Sequence, residues 1–582
     1  MNDPAAKPSP PRRRRLAMVA AALIGLGVIL LGAFGLGYFG GEIHAIEKIN
    51  QKYLQPALHS FRGPTDQETV TWDTINTHFY PLQVARIDLS PGGSPAVWAL
   101  EEIDGDILYA TRLGQFGYLD PQYHLHRLNG LQVQMGVDEL TRTPLFRDPI
   151  FQLDQVRTLD LLTIKTGANT YDLYVSHHRY RNGCFELVVS RAQITHDAQG
   201  LHFSSPNWED LYVTNPCIPV KSIGMRFAGH EGGGRLVRLN ADTLLLSIGT
   251  YQFDGIDGPF QAGQDDANDM GKIIAISIST HRHSTYARGL RNPQGLVVAK
   301  DGRVWETEHG PRGGDEVNLI RRGLNYGWPI VTYGTQYGGK PWPYNLHPGQ
   351  HLGFERPRFA FVPSIGISNI IQPSDKEFPE WSTHLLAASL VGNSIFALKT
   401  EGDDIVYAEP IPLGDRLRDM ISLSDGRIAI ITDGGILMLL RNGARHVGEP
   451  DSFVVSGLLN RPQLQPAETI PVSEDVKGTR IFFYYCGSCH TTTGEAQAGP
   501  PLNGVLGRDI GSVPGFPYSS ALTHASGRWT PSRLRSFLNR DDPAFEGSAM
   551  PPVSLYKDQF EALITYLKTT RPTPSTEQQR GH

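Results

Sequence analysis

The sequence contains little cysteine and no excess of positive charge. Only 4 cysteines occur among its 582 residues, which excludes a scaffold held together by many disulfides. Lysine and arginine number 53 against 59 aspartates and glutamates, a net charge of −6, which argues against a nucleic-acid binder built on a basic surface. Hydrophobic residues make up 40% of the chain and charged residues 19%, so a mostly disordered chain is excluded as well.

Glycine and proline are abundant instead, with 62 and 42 residues and no collagen-like period. From about residue 73 to 441 we find no amphipathic helical stretch of three or more turns. Short apolar or alternating runs end there in Asp-Gly, Gly-Gly or Asn-Gly turns, which is typical of strands. The clearest runs are Asp106–Thr111, Thr243–Ile248, Lys272–Ser277, Arg303–Thr307 and Arg427–Thr432. These runs predict a mainly β fold. We predict a propeller over residues 60–445, because radially repeated sheets leave only short, protected edges. A large sandwich or a β-helix is the alternative.

One long hydrophobic run lies near the start of the chain. Leu16–Gly41 contains 26 residues without a charge and follows the basic cluster Arg12–Arg15. About 20 such residues are enough to cross a bilayer as a helix, and the basic cluster indicates that residues 1–15 stay cytoplasmic. We therefore predict a transmembrane anchor at residues 16–41, a single pass through the inner membrane, with the bulk of the chain in the periplasm. A cleaved signal peptide is the alternative, and it also exports the chain.

An exported chain folds in an oxidising compartment, where disulfides persist. Cys184 and Cys217 are the two cysteines outside the C-terminal region, and each follows turn-forming residues. We predict a disulfide between them. The alternative is a pair of buried thiols that pack as small hydrophobic groups.

The sequence pattern changes after residue 445. Residues 446–475 contain Pro450, Pro462, Pro466 and Pro471 and are predicted to be a linker. Apolar residues three and four apart predict helices over residues 476–485, 531–539 and 557–568. Thr530-Pro531 is a typical helix start. The polar residues 571–582 are predicted to be a disordered tail.

The C-terminal segment carries the motif for covalent haem attachment. Cys486 and Cys489 are followed directly by His490, in the C-x-x-C-H order in which two thiols bind the haem and the histidine ligates its iron. Met550 is the candidate sixth ligand of the iron. A redox dithiol or half of a zinc site is the alternative, but no second C-x-x-C exists to complete four zinc ligands.

Residues 476–570 resemble a class I cytochrome c. The similarity is carried by the haem motif and by Gly499–Arg508, Tyr518–Leu522, Trp529-Thr530 and Phe537-Leu538. The resemblance implies an all-α cytochrome c domain whose distal iron ligand is Met550.

A second resemblance covers the β-rich part. Its most distinctive segments are Gly229–Leu236, Arg288–Leu296, Thr307–Asn318, Asn325–Pro329 and Asp415–Met420. In this order they resemble the soluble quinoprotein glucose dehydrogenases, or aldose sugar (glucose/sorbosone) dehydrogenases. That family implies a six-bladed propeller that oxidises sugars with pyrroloquinoline quinone (PQQ) and calcium.

The resemblance also implies roles for five residues around the cofactor. Arg291 and Asn292 match positions that contact the quinone oxygens, and Arg291 is thereby also a catalytic candidate. His309 belongs to the same cofactor-binding motif, and Arg416 and Arg418 match the arginines that hold the cofactor. Arginine suits this task because it is a planar and permanently charged donor for carboxylates.

Three further positions follow from the same resemblance. His230 matches the general base that takes the proton of the sugar hydroxyl, a task that suits an imidazole. Gly310 and Pro311 match the backbone carbonyls that bind calcium, a cation that prefers oxygen ligands. The sequence departs from the family at Val391, where members often carry a lysine that touches the cofactor, and in a glycine run after His230 that is one residue longer.

These observations predict a membrane-anchored periplasmic quinohaemoprotein dehydrogenase. It would oxidise a sugar or a related alcohol or aldehyde with PQQ, and pass the electrons through the fused haem c to a respiratory cytochrome or terminal oxidase. The alternative is a propeller without catalytic activity that serves as a docking module beside an electron-transfer cytochrome.

Overall fold

A computed structural model describes the chain between Asp66 and Thr570. The residues outside the description within this range are 91–96, 131, 144–155, 205–206, 219–220, 223–224, 227–228, 257, 337–339, 463–477, 480, 483–484, 487–489, 497–498, 540, 549, 551–552, 554 and 556. The predicted anchor at residues 16–41 and the predicted tail at 571–582 therefore lie outside the described residues. Within the described part, no helix is both long and apolar enough to span a membrane.

Six antiparallel sheets of four to six strands form the β-rich part of the described chain. Each of these sheets has one innermost strand, and the six innermost strands contact one another in a closed ring. In order around the ring they are β3, β7, β14, β18, β22 and β26, and β26 contacts β3 again. Sheets arranged radially around a ring of inner strands are the blades of a propeller. The fold is thus a six-bladed propeller, as the resemblance implied, followed by a helical C-terminal region.

The strands have the following bounds. The first two, β1 (Gln67–Asn76) and β2 (Pro81–Asp88), belong to the last blade. Blade 1 contains β3 (Val97–Ile103), β4 (Asp106–Thr111), β5 (Phe116–Leu119) and β6 (Leu125–Leu128). Blade 2 follows the short helix α1 (Val137–Thr141) and contains β7 (Thr158–Lys165), β8 (Thr170–Arg181), β9 (Cys184–Asp197), β10 (Gly200–Phe203) and β11 (Glu209–Val213). A two-stranded sheet, β12 (Lys221–Ser222) and β13 (Met225–Arg226), precedes blade 3.

The remaining blades follow in sequence order. Blade 3 contains β14 (Gly233–Arg238), β15 (Thr243–Ile248), β16 (Lys272–Ser277) and β17 (His283–Arg288). Blade 4 contains β18 (Pro293–Val298), β19 (Val304–Glu308), β20 (Asp315–Ile320) and β21 (Phe359–Phe361). Blade 5 contains β22 (Ile367–Ile371), β23 (His384–Ser389), β24 (Ser394–Glu401) and β25 (Asp404–Pro412). Blade 6 contains β26 (Leu417–Ser422), β27 (Ile428–Thr432) and β28 (Ile436–Asn442), then β2, β1 and β29 (Ser452–Ser456).

The strands predicted from short apolar runs are confirmed. Three of the five runs match β4, β15 and β16 residue for residue, and the other two match β19 and β27 to within one residue at each end. The Asp-Gly turns before β19 and β27 close as expected, because Asp301 and Asp425 accept hydrogen bonds from the backbone N–H of Arg303 (3.0 Å) and Arg427 (2.9 Å). The period-two pattern and the turn residues therefore predicted these strands correctly.

The end of the propeller differs from the sequence prediction. Residues 446–475 were predicted to be a linker, but Ser452–Ser456 forms the strand β29 and pairs with β1. The pairing runs from Gln67 opposite Ser456 to Thr71 opposite Ser452. The chain therefore closes the ring by joining strands from both ends of the propeller in blade 6, and the first part of the predicted linker belongs to that blade.

A buried charge network joins the inner strands. Nη1 of Arg235 on β14 donates to Asp160 of blade 2 at 2.6 Å and to Asp419 of blade 6 at 2.8 Å. The amide of Asn369 on β22 donates to Asp419 at 2.7 Å, and the backbone N–H of Leu100 on β3 donates to the same carboxylate at 2.8 Å. Five of the six blades thus contribute to one hydrogen-bonded network, which buried ionic groups require.

Burial and mutual repulsion raise the pKa values of two acids at this network, Asp160 and Glu101. Burial raises the pKa of Asp160 to about 7, although the charge of Arg235 opposes that rise. Burial also raises the pKa of the neighbouring Glu101 to about 8, and the charges of Asp160 and Asp419 add to the effect. The ring therefore holds carboxyl groups that ionise near neutral pH instead of near pH 4.

The predicted disulfide between Cys184 and Cys217 is confirmed. Cys184 is the first residue of β9, and the residues next to the two cysteines exchange backbone hydrogen bonds, from Phe185 N–H to Ile218 O at 3.2 Å and from Ile218 N–H to Phe185 O at 2.6 Å. The disulfide thus fastens the segment that leads to blade 3 onto the edge of the β8–β9 hairpin.

The described C-terminal region is helical and has its own hydrophobic core. It contains α2 (Ser520–His524), α3 (Pro531–Asn539) and α4 (Lys557–Thr569), and the described residues between 478 and 485 are helical too. Thr530 caps α3 as predicted, because its Oγ1 accepts from the N–H of Arg533 at 3.2 Å. Gly478 lies against α4, and a Cβ there would meet the carbonyl oxygen of Ala562 at 2.1 Å. The predicted helices at 531–539 and 557–568 are confirmed.

Removal of the disulfide is expected to destabilise the propeller. The double variant Cys184→Ser/Cys217→Ser frees a loop of 33 residues, and loss of a native disulfide typically costs about 2–5 kcal/mol of unfolding free energy. Urea unfolding followed by tryptophan fluorescence measures this loss. The same loss should appear in the wild type after reduction, whereas equal midpoints for oxidised wild type and variant would contradict a stabilising role.

The raised pKa of Glu101 predicts a specific pH dependence. The folded state binds the proton of Glu101 up to about pH 8, whereas the unfolded chain releases it near pH 4.5, so Glu101 makes the protein less stable as the pH rises between these values. Glu101→Gln removes this loss. We expect its Tm, relative to wild type, to rise by at least about 2 °C between pH 5 and pH 9 in calorimetry. For the exposed control Glu401→Gln, the difference in Tm from wild type should not change with pH. A Tm difference for Glu101→Gln that does not change with pH would refute the prediction.

Candidate active site

The propeller contains a cavity beside the central network. Its lining comes from five of the six blades and consists of Trp98, Arg157, Leu159, Gly233, Arg235, Gln294 and Arg418. Three of these seven residues are arginines. The cavity therefore offers a cationic environment at the place where the inner strands meet.

Arg416 and Arg418 share one carboxylate. They lie on either side of the buried Leu417 at the start of β26, and their Nε atoms donate to the two oxygens of Asp433 at 2.8 and 2.7 Å. Burial raises the pKa of Asp433, but the charges of Arg418 and Arg416 outweigh it and hold the pKa below its usual value. Arg418 also stacks over Trp98 at 4.8 Å from the ring centre. Two cations with one shared acid leave this corner positively charged.

Arg291 and Asn292 lie directly before β18 and connect to the cavity through Gln294. The amide of Gln294, which lines the cavity, donates to Oδ1 of Asn292 at 2.7 Å. Arg291 is buried and forms an ion pair with Glu231 at 2.5 Å, and its backbone N–H donates to Glu308 at 2.7 Å. The predicted cofactor residues of blade 4 are thus held rigidly beside the cavity.

His230 lies half-buried next to Glu231, in the segment that leads into β14. Glu231 has a φ of +56°, and the facing residues Tyr251 and Gln252 have φ values of +51° and +67°. Left-handed backbone at three non-glycine residues is costly and tends to occur at functional sites. The two segments are fastened together, because Thr250 Oγ1 and the N–H of Gln252 donate to Glu231 Oε2 at 2.9 and 3.3 Å.

The long glycine run after His230 brings blade 3 close to blade 2. A Cβ at Gly234 would meet the side chain of Leu159 at 2.5 Å, and one at Gly232 would meet Nε2 of His178 at 3.2 Å. Gly233 between them lines the cavity. The glycines therefore allow the backbone of blade 3 to form one wall of the site.

His309 directly follows β19, and the charges of Arg291, Arg416 and Arg418 all act on its pKa. Burial lowers its pKa to about 4, Asp315 opposes this, and the positive charges of Arg291, Arg418 and Arg416 lower it further. Its carbonyl accepts from Nη1 of Arg291 at 3.1 Å. The structure thus brings His309 and the three arginines into one electrostatic environment, with His309 neutral at physiological pH.

The predicted calcium ligands lie next to His309. The carbonyl of Gly310 accepts a hydrogen bond from Nη1 of Arg291 at 3.0 Å, so a guanidinium group already contacts one of the two expected ligand atoms. Among the described residues, no group of three or more His, Cys, Asp or Glu side chains could hold a metal ion. Calcium binding by Gly310 and Pro311 stays a prediction.

Val391, at the position where the family often has a lysine, is 66% exposed at the end of the strand pair β22–β23. Its backbone N–H donates to Ile365 O at 2.9 Å. No residue of blade 5 is among the described residues that line the cavity.

The haem motif lies at the end of a helical segment. The N–H of Cys486 donates to Phe482 O at 2.8 Å, and the N–H of His490 donates to Cys486 O at 2.9 Å. The imidazole of His490 is buried, and its Nδ1 lies 2.7 Å from the carbonyl oxygen of Pro500. Met550 packs against the same hydrophobic cluster that contains Cys486. Cys489 lies outside the described residues.

Sequence reasoning missed several residues of the site. Trp98 and Arg157 line the cavity, Asp433 holds Arg416 and Arg418, and Glu231 holds Arg291. Only a local signal pointed to Glu231, which directly follows His230. No sequence pattern pointed to Arg157, because all the segments that carry the resemblance begin at or after Gly229.

Comparison with known proteins supports both resemblances. The family model for glucose/sorbosone dehydrogenase matches residues 95–441. The aldose sugar dehydrogenase YliI of Escherichia coli is 30% identical over 229 residues, which cover 38% of this chain and 61% of the relative. Quinoprotein glucose dehydrogenase B of Acinetobacter calcoaceticus is 52% identical over 81 residues, 12% of this chain and 17% of the relative.

The C-terminal region has relatives of a different kind. Cytochrome c2 of Agrobacterium tumefaciens is 35% identical over 99 residues, which cover 16% of this chain and 89% of the relative. The chain spans less than two thirds of the two dehydrogenases above but nearly all of this cytochrome. The C-terminal region is thus homologous to cytochrome c, and through its propeller the chain belongs to the glucose/sorbosone dehydrogenase family.

Proposed function

We propose that the protein is a PQQ-dependent, aldose-type sugar dehydrogenase that transfers electrons to its own haem c. The observation that carries the proposal is the cavity whose lining and neighbours unite Arg418, Arg291 and the His230–Glu231 segment, in a chain that continues into a C-x-x-C-H motif. The names of the relatives support a sugar as the substrate class.

The residues present fit an anionic quinone. PQQ carries three carboxylates, and the described cavity offers Arg157 and Arg418, which both lie over the indole ring of Trp98. Arg416 lies beside Arg418 and shares its acid. When bound, PQQ supplies a two-electron acceptor for the hydride of the sugar. The arginines of this chain would hold and orient its carboxylates through charge-assisted hydrogen bonds.

His230 is the residue we propose as the general base. An imidazole accepts the proton of the sugar hydroxyl well, because its ordinary pKa lies near the working pH. The left-handed backbone at Glu231 and its bonds to Thr250 and Gln252 fix the segment that carries His230. Glu231 also holds Arg291 at 2.5 Å, so the proposed base and the proposed cofactor ligand are positioned by one carboxylate.

The residues of the C-terminal region fit a haem c. The hydrogen bond from the Nδ1 side of His490 to Pro500 O orients the ring and leaves Nε2 to ligate iron. A Cβ at Gly499 would meet the His490 ring at 2.2 Å, so the glycine leaves space for that ring. Cys486, Cys489 and Met550 complete the proposed set. When bound, haem c supplies a one-electron carrier.

The location and the electron acceptor are part of the proposal. We propose that residues 16–41 anchor the protein in the inner membrane with the propeller and cytochrome in the periplasm, and that a respiratory cytochrome or terminal oxidase receives the electrons. Fusion of dehydrogenase and cytochrome in one chain keeps donor and acceptor at a high effective concentration. Calcium at Gly310 and Pro311 stays a prediction, and we assign no step to it.

The second candidate function is a propeller without catalytic activity that docks other proteins beside the cytochrome. The exposed Val391 at the usual lysine position favours it. The two functions differ in one measurement. Purified protein is mixed with PQQ and calcium, an aldose is added, and reduction of the haem is followed by its absorption. Sugar-dependent reduction that requires PQQ supports the dehydrogenase, whereas absence of PQQ binding supports the docking module.

The general-base role of His230 predicts a large loss of activity. His230→Gln keeps a polar side chain of similar size but removes the basic nitrogen. We expect sugar-dependent haem reduction to fall by about 10²- to 10⁴-fold, while PQQ binding measured by fluorescence titration stays close to wild type. The exposed control His202→Gln should retain full activity. An unchanged rate in His230→Gln would rule out this base.

The sixth iron ligand can be tested without any substrate. Met550→Leu keeps the apolar packing and removes the thioether sulfur. Because methionine as the second axial ligand raises the haem potential, we expect a lower midpoint potential in a redox titration and an unchanged amount of covalent haem. The buried Met438→Leu in blade 6 is the matched control. An unchanged potential in Met550→Leu would show that another residue is the ligand.

A further inference from the structure

We propose that Arg157 is a cofactor-binding residue of this protein, one that neither the resemblance nor the comparisons assign. It would bind a carboxylate of the anionic quinone together with Arg418. The inference rests on the proposed function, since it concerns the same cavity. It adds a cation from blade 2 at a site that lacks the usual lysine on blade 5.

The geometry around Trp98 carries the proposal. The guanidinium carbon of Arg157 lies 5.2 Å from the centre of the Trp98 ring, and that of Arg418 lies 4.8 Å from it. The two cations are therefore no more than about 10 Å apart. All three side chains line the cavity. At this separation, salt screens the repulsion between two positive charges only in part. An anionic ligand between or beside them removes that repulsion.

The other arginine of the cavity already has its full charge partners. Arg235 donates to Asp160 and Asp419 and belongs to the central network of the ring. Arg418 shares Asp433 with Arg416. Arg157 and Arg418 reach the cavity from blades 2 and 6, so an anion in the cavity can contact cations from two different blades.

The backbone of Arg157 is fixed in the way a binding residue requires. Its carbonyl accepts from the N–H of His178 on β8 at 3.0 Å, and the next residue, Thr158, donates its N–H to Arg112 O at 2.7 Å. Leu159 lies against Gly234 of blade 3. The residue is therefore held between blades 1, 2 and 3 before any ligand arrives, which lowers the entropic cost of binding.

The position of Val391 explains why such a cation is useful. Val391 is exposed and uncharged, and blade 5 supplies no described residue to the cavity lining. Arg157 supplies a positive charge from blade 2, which lies across the propeller from blade 5, and this charge lies next to Trp98 and Arg418. The total positive charge offered to the cofactor is thereby kept while its location changes.

The experiment measures PQQ binding directly. Full-length haem-loaded protein is freed of PQQ and titrated with PQQ, and tryptophan fluorescence gives the Kd at low and at high salt. We expect Arg157→Gln to raise the Kd by roughly tenfold to a hundredfold, the value of one or two charge-assisted hydrogen bonds, and to weaken its salt dependence. Arg157→Lys, which keeps the charge, should lie between wild type and Arg157→Gln.

Controls separate this inference from the proposed function and from misfolding. Arg282→Gln removes an exposed arginine of blade 3 and should bind PQQ like wild type. The Tm of each variant shows whether it is folded. If Arg157→Gln is not folded, Arg157→Lys replaces it in the comparison with wild type. Equal Kd values for wild type, Arg157→Gln and Arg157→Lys would overturn the role of Arg157 and leave the proposed function intact. Failure of the wild type to bind PQQ would overturn both.

Discussion

The architecture of the propeller depends on one buried ionic contact, in which Arg235 of blade 3 binds Asp160 of blade 2 and Asp419 of blade 6. Buried charges are tolerated only when they are paired and hydrogen-bonded, so these three blades can reach the axis only together. Asn369 and the backbone of Leu100 add blades 5 and 1 to the same network. Because Arg235 also lines the cavity, the spacing that the network imposes on the inner strands also fixes the shape of the candidate active site.

The charge balance of the site follows a consistent arrangement. Its arginines are held by carboxylates that belong to the fold: Arg291 is held by Glu231, and Arg416 and Arg418 share Asp433. The shared acid leaves net positive charge in a half-buried place, which costs stability in the absence of an anion and favours the binding of one. Burial, together with the same positive field, lowers the pKa of His309 and keeps it neutral. Binding and protonation at this site are therefore consequences of one electrostatic arrangement.

The sequence predicted the local features well and the long-range ones poorly. Strands such as Thr243–Ile248, the helix that Thr530 caps and the Cys184–Cys217 disulfide follow from patterns within a few residues or from the compartment. Strand β29 could not be found this way, because Ser452–Ser456 pairs with a strand that lies almost four hundred residues earlier, and the prolines around it, such as Pro450 and Pro462, suggested a linker. Arg157 and Trp98 were missed for the same reason, since only the closed ring places an arginine of blade 2 and an indole of blade 1 beside Arg418. Family motifs pointed to the remaining candidate residues, such as Arg291 and Arg418, but not to the acids that hold them.

The pairing of Gln67 with Ser456 has a consequence for how the protein is assembled from parts. Both chain ends of the propeller leave from neighbouring positions on the same outer edge of one blade, away from the inner strands that line the cavity. Extra domains can therefore be joined in front of the propeller, behind it or at both ends without opening the ring. This single attachment edge makes the fold suitable for gene fusions, and it is consistent with a cytochrome c homologue that follows the propeller in the same chain.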